Sequence, residues 1–480
     1  MQTSRSRTIV LASTLLGGAI PFSAFADDAD AGADVEQIVV NGQRYQEGYK
    51  VEEATSASKV AAPLRDVPQT INVIGEDIIL DQRALSIQDV LKNVPGVGFS
   101  SGDGQRDQVS IRGFSAIADQ FVDGLRDDAL YFRDLSNIER VEVIKGPASV
   151  LYGRGSSGGL INRIRKKPSD THAIASASYG SFEDRRGEID LGLAIPDGQV
   201  AGRLTGAIEK ADSYRDHQFL DRKAIAPSLL VKPDGRTSIL LQADYLEDER
   251  VTDFGIPAYR GRPVDVHRST YYGAANARDV DTSRSTVWSV TGVITHEFGD
   301  AVTLRNATRF YDYQLDRNNT LPGSVNETAL TVSLNRSNVR RDEHGWFSQT
   351  ELTHELALGN TTHKLLYGVE FGRQVKDQYF ASHNNIATVD LFDPVLPTLP
   401  LVLNVAPSTD NRGTFTTAGL YAQDLISLGK HVKALVGVRW DRFEQKTTQR
   451  MAGQPNLSRV DRKWSPRAGL VWQPDETQSY

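Results

Sequence analysis

The sequence predicts an α+β domain followed by an antiparallel transmembrane β-barrel. Three observations lead to this fold class. The N-terminus has the form of an export signal, residues 65–168 mix strand and helix patterns, and short alternating strands fill the chain from about residue 172. Short turns and long polar loops separate these strands in alternation, which is typical of a barrel that crosses a membrane.

Composition excludes several classes of function. The 480-residue chain carries a formal net charge of −7, whereas a general nucleic-acid binder needs a basic face. It contains no cysteine, which excludes disulfides, zinc–thiolate sites and a cysteine nucleophile. Its nine histidines are dispersed and form no spacing typical of a metal site. We therefore expect no bound metal, no covalent cofactor and no nucleic-acid partner.

Residues 1–26 are predicted to be a signal peptide. Arg5 and Arg7 precede the apolar run 8–20, and a small-x-small site follows at 24–26. The run is too short to cross a bilayer comfortably, and the alternative is a buried first helix. We expect the chain to be exported and to lack a transmembrane helix.

A flexible segment is predicted at 27–64, between the signal peptide and the first domain. It contains the β-branched run "EQIVV", which starts at Glu36 and ends with Ile38, Val39 and Val40. Such a run is suited to adding a strand to the sheet edge of another protein. The alternative is that it forms the first strand of the fold itself.

Residues 65–168 are predicted to form a compact domain of short strands and helices. "PQTINVIGEDII" predicts a strand that leads into a turn or a short helix. "SIQDVLKNVPGV" predicts a helix, because Ser86 and Asp89 have the spacing of a capping box and Pro95-Gly96 ends it. The runs "QVSIRGF", "QFVDGL" and "IERVEVIKG" alternate like strands.

The segment "GPASVLYGRGSSGGLIN", residues 146–162, contains a dinucleotide-loop spacing. Gly153, Gly155 and Gly158 read G-x-G-x-x-G. That loop needs a strand before it and a helix after it, whereas here a turn or one helical turn comes first and an alternating strand follows. We therefore reject a nucleotide site. We expect Gly146 and these three glycines to allow positive φ and close backbone approach in a crowded interior.

About twelve strands are predicted between residue 172 and the end of the chain. In "VKALVGVRW", the side chains of Val432, Val436, Val438 and Trp440 share one face. Long polar loops are expected at about 248–285, 314–344, 376–413 and 445–462. A soluble β-sandwich or propeller is the alternative.

The strand count also predicts that the chain is a fragment. A barrel of about twelve strands would hardly enclose a domain of about 100 residues, because barrel diameter grows with strand number. We therefore expect further strands after Tyr480. The alternative is a narrower barrel with the mixed domain outside it.

The motifs of the first domain resemble the plug domain of TonB-dependent outer-membrane siderophore receptors. The resemblance is carried, almost continuously over 65–168, by "RDVPQTINVI", "DVLKNVPGV", "VSIRGF", "FVDGLRD" and "IERVEVIKGPASVLYGRGSSGGLIN". It implies that residues 65–168 are a plug domain that fills the barrel. It also implies that 172–480 are about the first half of the family's 22-stranded barrel, and that "EQIVV" is the TonB box.

The resemblance also implies a function. Members of this family are receptors and active transporters in the outer membrane of Gram-negative bacteria, and they import ferric siderophores. TonB and its inner-membrane complex would supply the energy, and outer-membrane lipid would surround the barrel. The resemblance implies no enzyme activity, and iron only as part of the ligand. Heme, cobalamin or a saccharide as ligand, or a passive porin, are the alternatives.

The resemblance implies two sets of interface residues. Glu36, Ile38, Val39 and Val40 would pair with TonB. Arg112 and Arg140 would pair with carboxylates on the inner wall of the barrel, because buried charges require partners. Glu370 is a candidate for such a carboxylate, and the missing half of the barrel is the other source. The alternative is that these arginines are exposed and solvated.

Ligand contacts are expected from the apices of the plug domain. The run "LYFRD" brings Tyr131, Phe132 and Arg133 together in a loop, and Arg106 lies in "GDGQRDQ". Aromatic rings and cations suit an anionic ferric chelate. The alternative for each residue is an ordinary packing or solvated role.

Overall fold

The computed structural model describes residues 49, 51, 54, 56–60, 62–100, 102–155 and 157–480. The predicted signal peptide (1–26) and TonB box (36–40) lie outside the described residues. The plug domain and all later strands belong to one compact unit. Within the described part of the chain, no helix is both long enough and apolar enough to span a membrane.

Short strands and helices build the plug domain. After a 3-10 turn at Leu64–Asp66, they are β1 (Thr70–Gly75), α1 (Glu76–Asp81), α2 (Ile87–Leu91), β2 (Val97–Phe99), β3 (Val109–Ile111), β4 (Phe114–Ser115), β5 (Gln120–Val122), β6 (Leu125–Arg126), β7 (Ile138–Lys145), α3 (Ser149–Tyr152) and β8 (Gly159–Arg165). One sheet has the order β1-β7-β8-β5-β6, and β2-β3-β4 form a second. Only the β5–β8 pair is parallel within these two sheets.

Local sequence explains the start of α2, and the capping-box prediction is confirmed. Ser86 Oγ accepts a hydrogen bond from the Asp89 backbone N–H, and the Asp89 carboxylate accepts one from the Ser86 N–H. The helix then buries Ile87, Val90 and Leu91 completely in the apolar core of the plug domain. The cap and the apolar face together fix the position of α2 against the sheet.

The longer strands form a separate sheet, here called the barrel sheet. In chain order the elements are β9 (His172–Tyr179), β10 (Arg185–Ala194), β11 (Val200–Asp212), β12 (Phe219–Val231), β13 (Thr237–Val251), β14 (Ala258–Tyr259), β15 (Arg262–Pro263), α4 (Ala277–Val280), β16 (Thr282–Phe298), β17 (Val302–Asn326), β18 (Thr331–Leu358), β19 (Thr361–Asp390), β20 (Thr409–Leu428), β21 (Val432–Gln449) and β22 (Leu457–Trp472). Twelve of these strands pair with their chain neighbours in one sheet, and β14 and β15 pair only with each other. The predicted number of strands is confirmed.

Side chains of the barrel sheet alternate between two environments, as the period-two pattern predicted. On β21, Leu435 and Arg439 are completely buried, whereas Val436 and Val438 are 47% and 40% exposed. The exposed, or outward, face is largely apolar. The buried, or inward, face carries charges as well as apolar groups.

The sheet corrects the predicted long loops. Residues 314–344 are not a loop, because β17 and β18 continue through them as a hydrogen-bonded hairpin that turns at 327–330. A two-stranded ribbon with solvent on both sides can be polar on both faces, so polarity alone did not distinguish it from a loop. Residues 376–390 likewise belong to β19, and the loop predicted at 445–462 is reduced to 450–456. The longest connections within the barrel sheet are 252–281 and 391–408.

The plug domain packs against the inward face of the barrel sheet. One apolar cluster joins plug residues such as Phe121 and Tyr152 to Leu366, Tyr421 and Leu435 on β19, β20 and β21. A second cluster joins Leu125, Ala129 and Tyr131 of the plug domain to residues of β13 and β16 to β18. The expectation that the barrel encloses the plug domain agrees with these contacts on many strands.

The glycine-rich segment connects β7 to β8 where backbones lie close together. Gly146, Gly153 and Gly155 have φ values of 90°, 69° and 88°. A Cβ atom built on Gly158 would lie 2.1 Å from the carbonyl oxygen of Ile111. Glycine is thus needed at the first three positions for backbone conformation and at Gly158 for space.

Gly158→Ala should destabilise the plug domain by about 1–3 kcal/mol, because the added methyl group collides with a backbone that cannot move freely. The matched control is Gly235→Ala, where a Cβ meets no atom within 4 Å and φ is not positive. The difference in stability between the two variants is measured by urea unfolding, with hydrogen exchange of the β7 and β8 amides as the probe. Equal midpoints for the two variants would contradict the steric argument.

Candidate functional site

Three aspartates of the plug domain are buried against cations of the barrel sheet. Asp127 lies 3.1 Å from Arg309 of β17, Asp128 lies 3.1 Å from Lys376 of β19, and Asp134 lies 2.9 Å from Arg186 of β10. Each carboxylate is at most 5% exposed. The three pairs therefore join the plug domain to three separate strands.

Asp127 is the centre of this network. Its carboxylate also pairs with Arg163 and Arg133 of the plug domain and accepts a hydrogen bond from the Tyr131 hydroxyl at 2.9 Å. Burial alone would raise the pKa of Asp127, but Arg133, Arg309 and Arg163 outweigh it and hold the pKa well below its usual range. Asp127 is thus a buried anion that several cations share.

Pairs of the opposite polarity join the same two parts. Arg165 lies 2.5 Å from Asp244 of β13, Lys166 lies 2.9 Å from Asp190 of β10, and Lys59 lies 2.7 Å from Glu351 of β18. Charge is therefore balanced across the interface rather than segregated. Balance of this kind is needed, because an unpaired charge at a buried interface is very costly.

Lys59 anchors residues 56–60, which lead into the plug domain, to the barrel sheet. Its ammonium group also donates to the Tyr421 hydroxyl at 3.0 Å and lies 4.8 Å from the centre of that ring. The neighbouring carbonyl oxygens of Ala57 and Ser58 accept hydrogen bonds from Arg467 of β22 and Gln423 of β20. Residues 56–60 are thus held between the plug domain and three strands of the barrel sheet.

Arg126 holds the glycine-rich segment from inside the plug domain. Its guanidinium donates to the carbonyl oxygens of Ala118, Tyr152 and Arg154 at 3.0, 3.2 and 2.6 Å. Burial and the neighbouring Arg154 lower the pKa of Arg126 to about 10. Among the described residues, Arg126 forms no ion pair with a carboxylate, and backbone carbonyl oxygens accept its hydrogen bonds instead.

The structure pairs neither Arg112 nor Arg140 with a carboxylate of the described barrel strands. Arg140 pairs with Glu142 at 2.7 Å and Glu139 at 2.5 Å, both in the plug domain. Arg140 and Glu142 lie two positions apart on one strand and hence on one face, so their side chains meet. Arg112 is exposed at the β3–β4 turn, with a φ of 51° and no carboxylate partner among the described residues.

Glu370 lies on the inward face of β19, but its cation comes from the barrel sheet. Arg439 of β21 is 3.4 Å away, and Gln349 of β18 donates to the carboxylate at 2.9 Å. Arg439 also reaches the glycine-rich segment, because a Cβ on Gly153 would lie 2.9 Å from its guanidinium. Glu370 therefore positions the arginine that contacts the plug domain.

The structure contradicts the expectation that Tyr131 and Arg133 are open to a ligand. The Arg133 side chain is 1% exposed and pairs with Asp107 and Asp127, both at 3.1 Å. Tyr131 is 6% exposed and donates to Asp127. Phe132 is partly buried, with Arg250 of β13 lying 4.2 Å from its ring centre. Their loop is turned inward because Asp127 and Asp107 attract the cation.

Arg106 lies in a group of arginines near the end of the plug domain that faces the long connections. It forms two 3.0 Å contacts with Asp103, and Arg317 of β17 lies 3.3 Å from the same carboxylate. Arg341 of β18 is close enough to repel Arg317, and its nearest carboxylate, Glu343, is 3.7 Å away. Positive charge therefore exceeds negative charge here. Sequence reasoning missed Arg317 and Arg341, because their hairpin was interpreted as a loop.

One group of potential metal ligands lies elsewhere in the described part of the chain. Asp312 of β17 and Asp342 and His344 of β18 offer ligand atoms within 4.8 Å of one another. Their side chains point outward, away from the plug domain. The spacing search could not find the group, because its members lie on two strands that pair in space.

Two protein-family models match successive parts of the chain. The family model described as TonB-dependent Receptor Plug Domain matches residues 63–160. The model described as TonB dependent receptor-like, beta-barrel matches residues 227–480, which is more than half of the chain.

Individual relatives are similar over most of this chain but extend beyond it. The catecholate siderophore receptor Fiu of Escherichia coli K12 is 32% identical over 80% of this chain and 54% of its own length. The metal-pseudopaline receptor CntO of Pseudomonas aeruginosa PAO1 is 28% identical over 93% of this chain and 65% of its own. This chain therefore spans about half to two thirds of the length of these relatives.

A solved structure shows the same fold. The siderophore receptor PiuA of Acinetobacter baumannii superposes with a TM-score of 0.83 at 24% sequence identity. The match covers 90% of this chain and 66% of PiuA. The similarity supports the arrangement of plug domain and barrel sheet.

Asp127→Asn should destabilise the plug interface by about 3–5 kcal/mol, because it leaves Arg133, Arg163 and Arg309 without their shared anion. Asp197→Asn, in an exposed turn, is the matched control and should change stability by less than about 1 kcal/mol. Protease digestion at increasing urea concentration gives the midpoint at which the plug domain loses its protection. This midpoint is compared between the two variants and the unsubstituted protein. A shift no larger than that of the control would show that the network does not hold the interface.

Proposed function

The chain belongs to the TonB-dependent receptor family, and we propose that it is an outer-membrane receptor that imports ferric siderophores with energy supplied through TonB. The observation that carries the proposal is a plug domain joined to the barrel sheet by buried ion pairs of both polarities. Such an interface blocks passive flow, so a cargo passes only when the plug domain is moved. The names of the relatives Fiu and PiuA support a siderophore as cargo.

The ligand proposed is an anionic ferric chelate of the catecholate class. Arg106, Arg317 and Arg341 share few carboxylates, so an anion near them would gain attraction without displacing an existing partner. Phe132, with Arg250 against its ring, adds an aromatic surface that suits a catechol. Tyr131 and Arg133 would support this loop from inside.

A second candidate is another metal chelate. It is favoured by CntO, whose name specifies a metal-pseudopaline ligand and which matches 93% of this chain. The two candidates share the requirement for a chelate that already saturates its metal. Neither needs a metal ligand from the protein.

Growth of a receptor-null Gram-negative strain that carries the full-length gene tests the cargo. Ferric catecholates should support growth under iron limitation, and growth only with a metal-pseudopaline complex would favour the second candidate. Rescue by none of a panel of ferric siderophores would exclude the proposed ligand class.

The same strain tests the energy source. Val39→Pro should abolish uptake and leave ligand binding unchanged, because proline removes a main-chain donor from the strand that would add to TonB. Ala31→Pro, in the same segment but outside the box, is the control. Uptake that survives in the Val39→Pro variant would contradict the assignment of the TonB box to Glu36, Ile38, Val39 and Val40.

Force that TonB applies to the box would reach Lys59 early. Lys59 and Glu351 form the first buried ion pair that the structure describes after residue 40. Pulling residues 56–60 out of the interface would break this pair and leave the buried Glu351 carboxylate with only the partly exposed Arg305, 3.2 Å away, as a cation among the described residues. The pair would thus resist opening until force is applied.

Lys59→Met should weaken the closed interface by about 1–3 kcal/mol and increase the sensitivity of cells to a large antibiotic such as vancomycin, because the buried Glu351 then keeps only the partly exposed Arg305 as a cation. Removing both charges, in Lys59→Met with Glu351→Leu, should restore most of the barrier, because the one charge that then loses its partner, Arg305, is 31% exposed and remains solvated. Lys92→Met, at an exposed pair, is the control. Equal sensitivity of the two Lys59 variants would contradict the role of the unpaired charge.

A further inference from the structure

A small cavity lies between the plug domain and four strands of the barrel sheet, β12, β13, β16 and β17. Its volume is about 60 Å³. Ala224 and Ala226 line it from β12 with small side chains, and the pairing of β12 with β13 is interrupted at Ala226 and Pro227, where proline has no N–H to donate. A water molecule needs about 10–15 Å³, so the cavity has room for a monatomic ion.

Guanidinium groups outnumber carboxylates at one part of this cavity. Arg133, Arg163 and Arg309 all line it, and all three pair with Asp127. The only other carboxylate that pairs with any of them among the described residues is Asp107, which lies 3.1 Å from Arg133. Three cations therefore share two anions, and one positive charge is left without a counter-charge at a buried interface.

Two N–H groups of these arginines also have no acceptor. The side chains of Arg163 and Arg309 are 7% and 3% exposed, and the Nε atom of each is buried without a hydrogen-bond partner among the described residues. A buried donor without an acceptor is costly, so the interface gains stability if the cavity holds a group that accepts from both.

The other polar groups of the lining favour an occupant that accepts hydrogen bonds and donates none. Both oxygens of each lining carboxylate, in Asp127, Asp134 and Asp244, already accept a hydrogen bond. A guanidinium N–H can only donate. A water molecule would bring two donors of its own and no charge. An anion would satisfy the free N–H groups and supply the missing negative charge.

We propose that this cavity binds one small monovalent anion, of the halide class, between the plug domain and the barrel sheet. Nε of Arg163 and Nε of Arg309 donate to it. Arg165 also lines the cavity, but it already pairs with Asp123 at 2.6 Å and Asp244 at 2.5 Å. The anion therefore lies at the Arg163 and Arg309 side. Chloride fits this site better than a strongly hydrated ion such as fluoride, because much of the remaining lining is apolar.

The position of the two arginines couples anion binding to closure of the interface. Arg163 belongs to β8 of the plug domain and Arg309 to β17 of the barrel sheet. The complete site exists only while these two parts are in contact. An anion that binds only this state stabilises it by mass action. The inference concerns the closed interface and does not depend on the cargo.

Crystals of the full-length receptor grown in bromide test the site directly, because bromide replaces chloride and scatters X-rays anomalously. We expect an anomalous peak in the cavity, within hydrogen-bonding distance of Nε of Arg163 and Nε of Arg309. A water molecule or a carboxylate of the same chain at that position, with no anomalous peak, would overturn the proposal.

Protection of the plug domain against protease tests the coupling in solution. Chloride replaces gluconate, an organic anion too large for the cavity, at constant ionic strength so that screening is unchanged. Above the dissociation constant, the rate of cleavage should fall about tenfold for each tenfold increase in chloride, because cleavage follows the population of the open state. Bromide should act like chloride. Equal rates in chloride and gluconate would contradict the coupling.

Two variants locate the effect. Ala224→Leu fills the cavity without changing charge and should abolish the difference between chloride and gluconate, whereas Ala329→Leu, in the exposed turn between β17 and β18, is the control and should retain it. Arg163→Lys keeps a cation beside Asp127 but removes the Nε–H donor, so the chloride concentration needed should rise by about tenfold or more.

An undiminished chloride effect in the Ala224→Leu variant would place the anion elsewhere and overturn the assignment. If that variant does not fold, the bromide peak in the unsubstituted protein and the Arg163→Lys variant still decide. None of these measurements uses a siderophore. A receptor that imports no siderophore but shows the bromide peak would therefore contradict only the proposed cargo.

Discussion

The requirement that every buried charge have a partner organises this protein. Asp127, Asp128 and Asp134 each enter the interface with a cation from a different strand of the barrel sheet. Such pairs add little stability over apolar contacts, but an unpaired member is strongly destabilising. The interface is therefore stable while every ion pair is formed, and it is weakened once one element is withdrawn. That property suits the proposed transporter, in which the plug domain would seal a pore and be displaced during import.

Local patterns were sufficient to predict most of the architecture. The cap at Ser86 and Asp89, the strands of the plug domain and the number of barrel strands each depend on residues close in sequence. Period-two alternation also identified the outward face of β21, because one side of the strand meets the plug domain and the other does not. The polar stretches were the exception: 314–344 and 376–390 were interpreted as loops but are strands, since polarity is shared by loops and exposed ribbons.

The pairing of charges could not be predicted in this way. Asp127 and Arg309 are 182 positions apart, and Lys59 and Glu351 are 292 apart. The resemblance implied charge pairs between the plug domain and the barrel at Arg112 and Arg140, whereas the pairs that the structure describes lie at other residues. Arg140 pairs with Glu142 on its own strand of the plug domain, and Arg112 lies on a turn. Which residues meet is decided by the packing of the plug domain within the sheet.

The glycine-rich segment shows how one spacing can serve opposite electrostatics. A phosphate loop points backbone N–H groups at an anion. Here the carbonyl oxygens of Tyr152 and Arg154 point at the guanidinium of Arg126. Glycine at position 153 lets Arg439 of the barrel sheet approach the same backbone. The carbonyl oxygens of this segment therefore face cations. Its glycines allow Arg439 of the barrel sheet and Arg126 of the plug domain to approach the same stretch of chain.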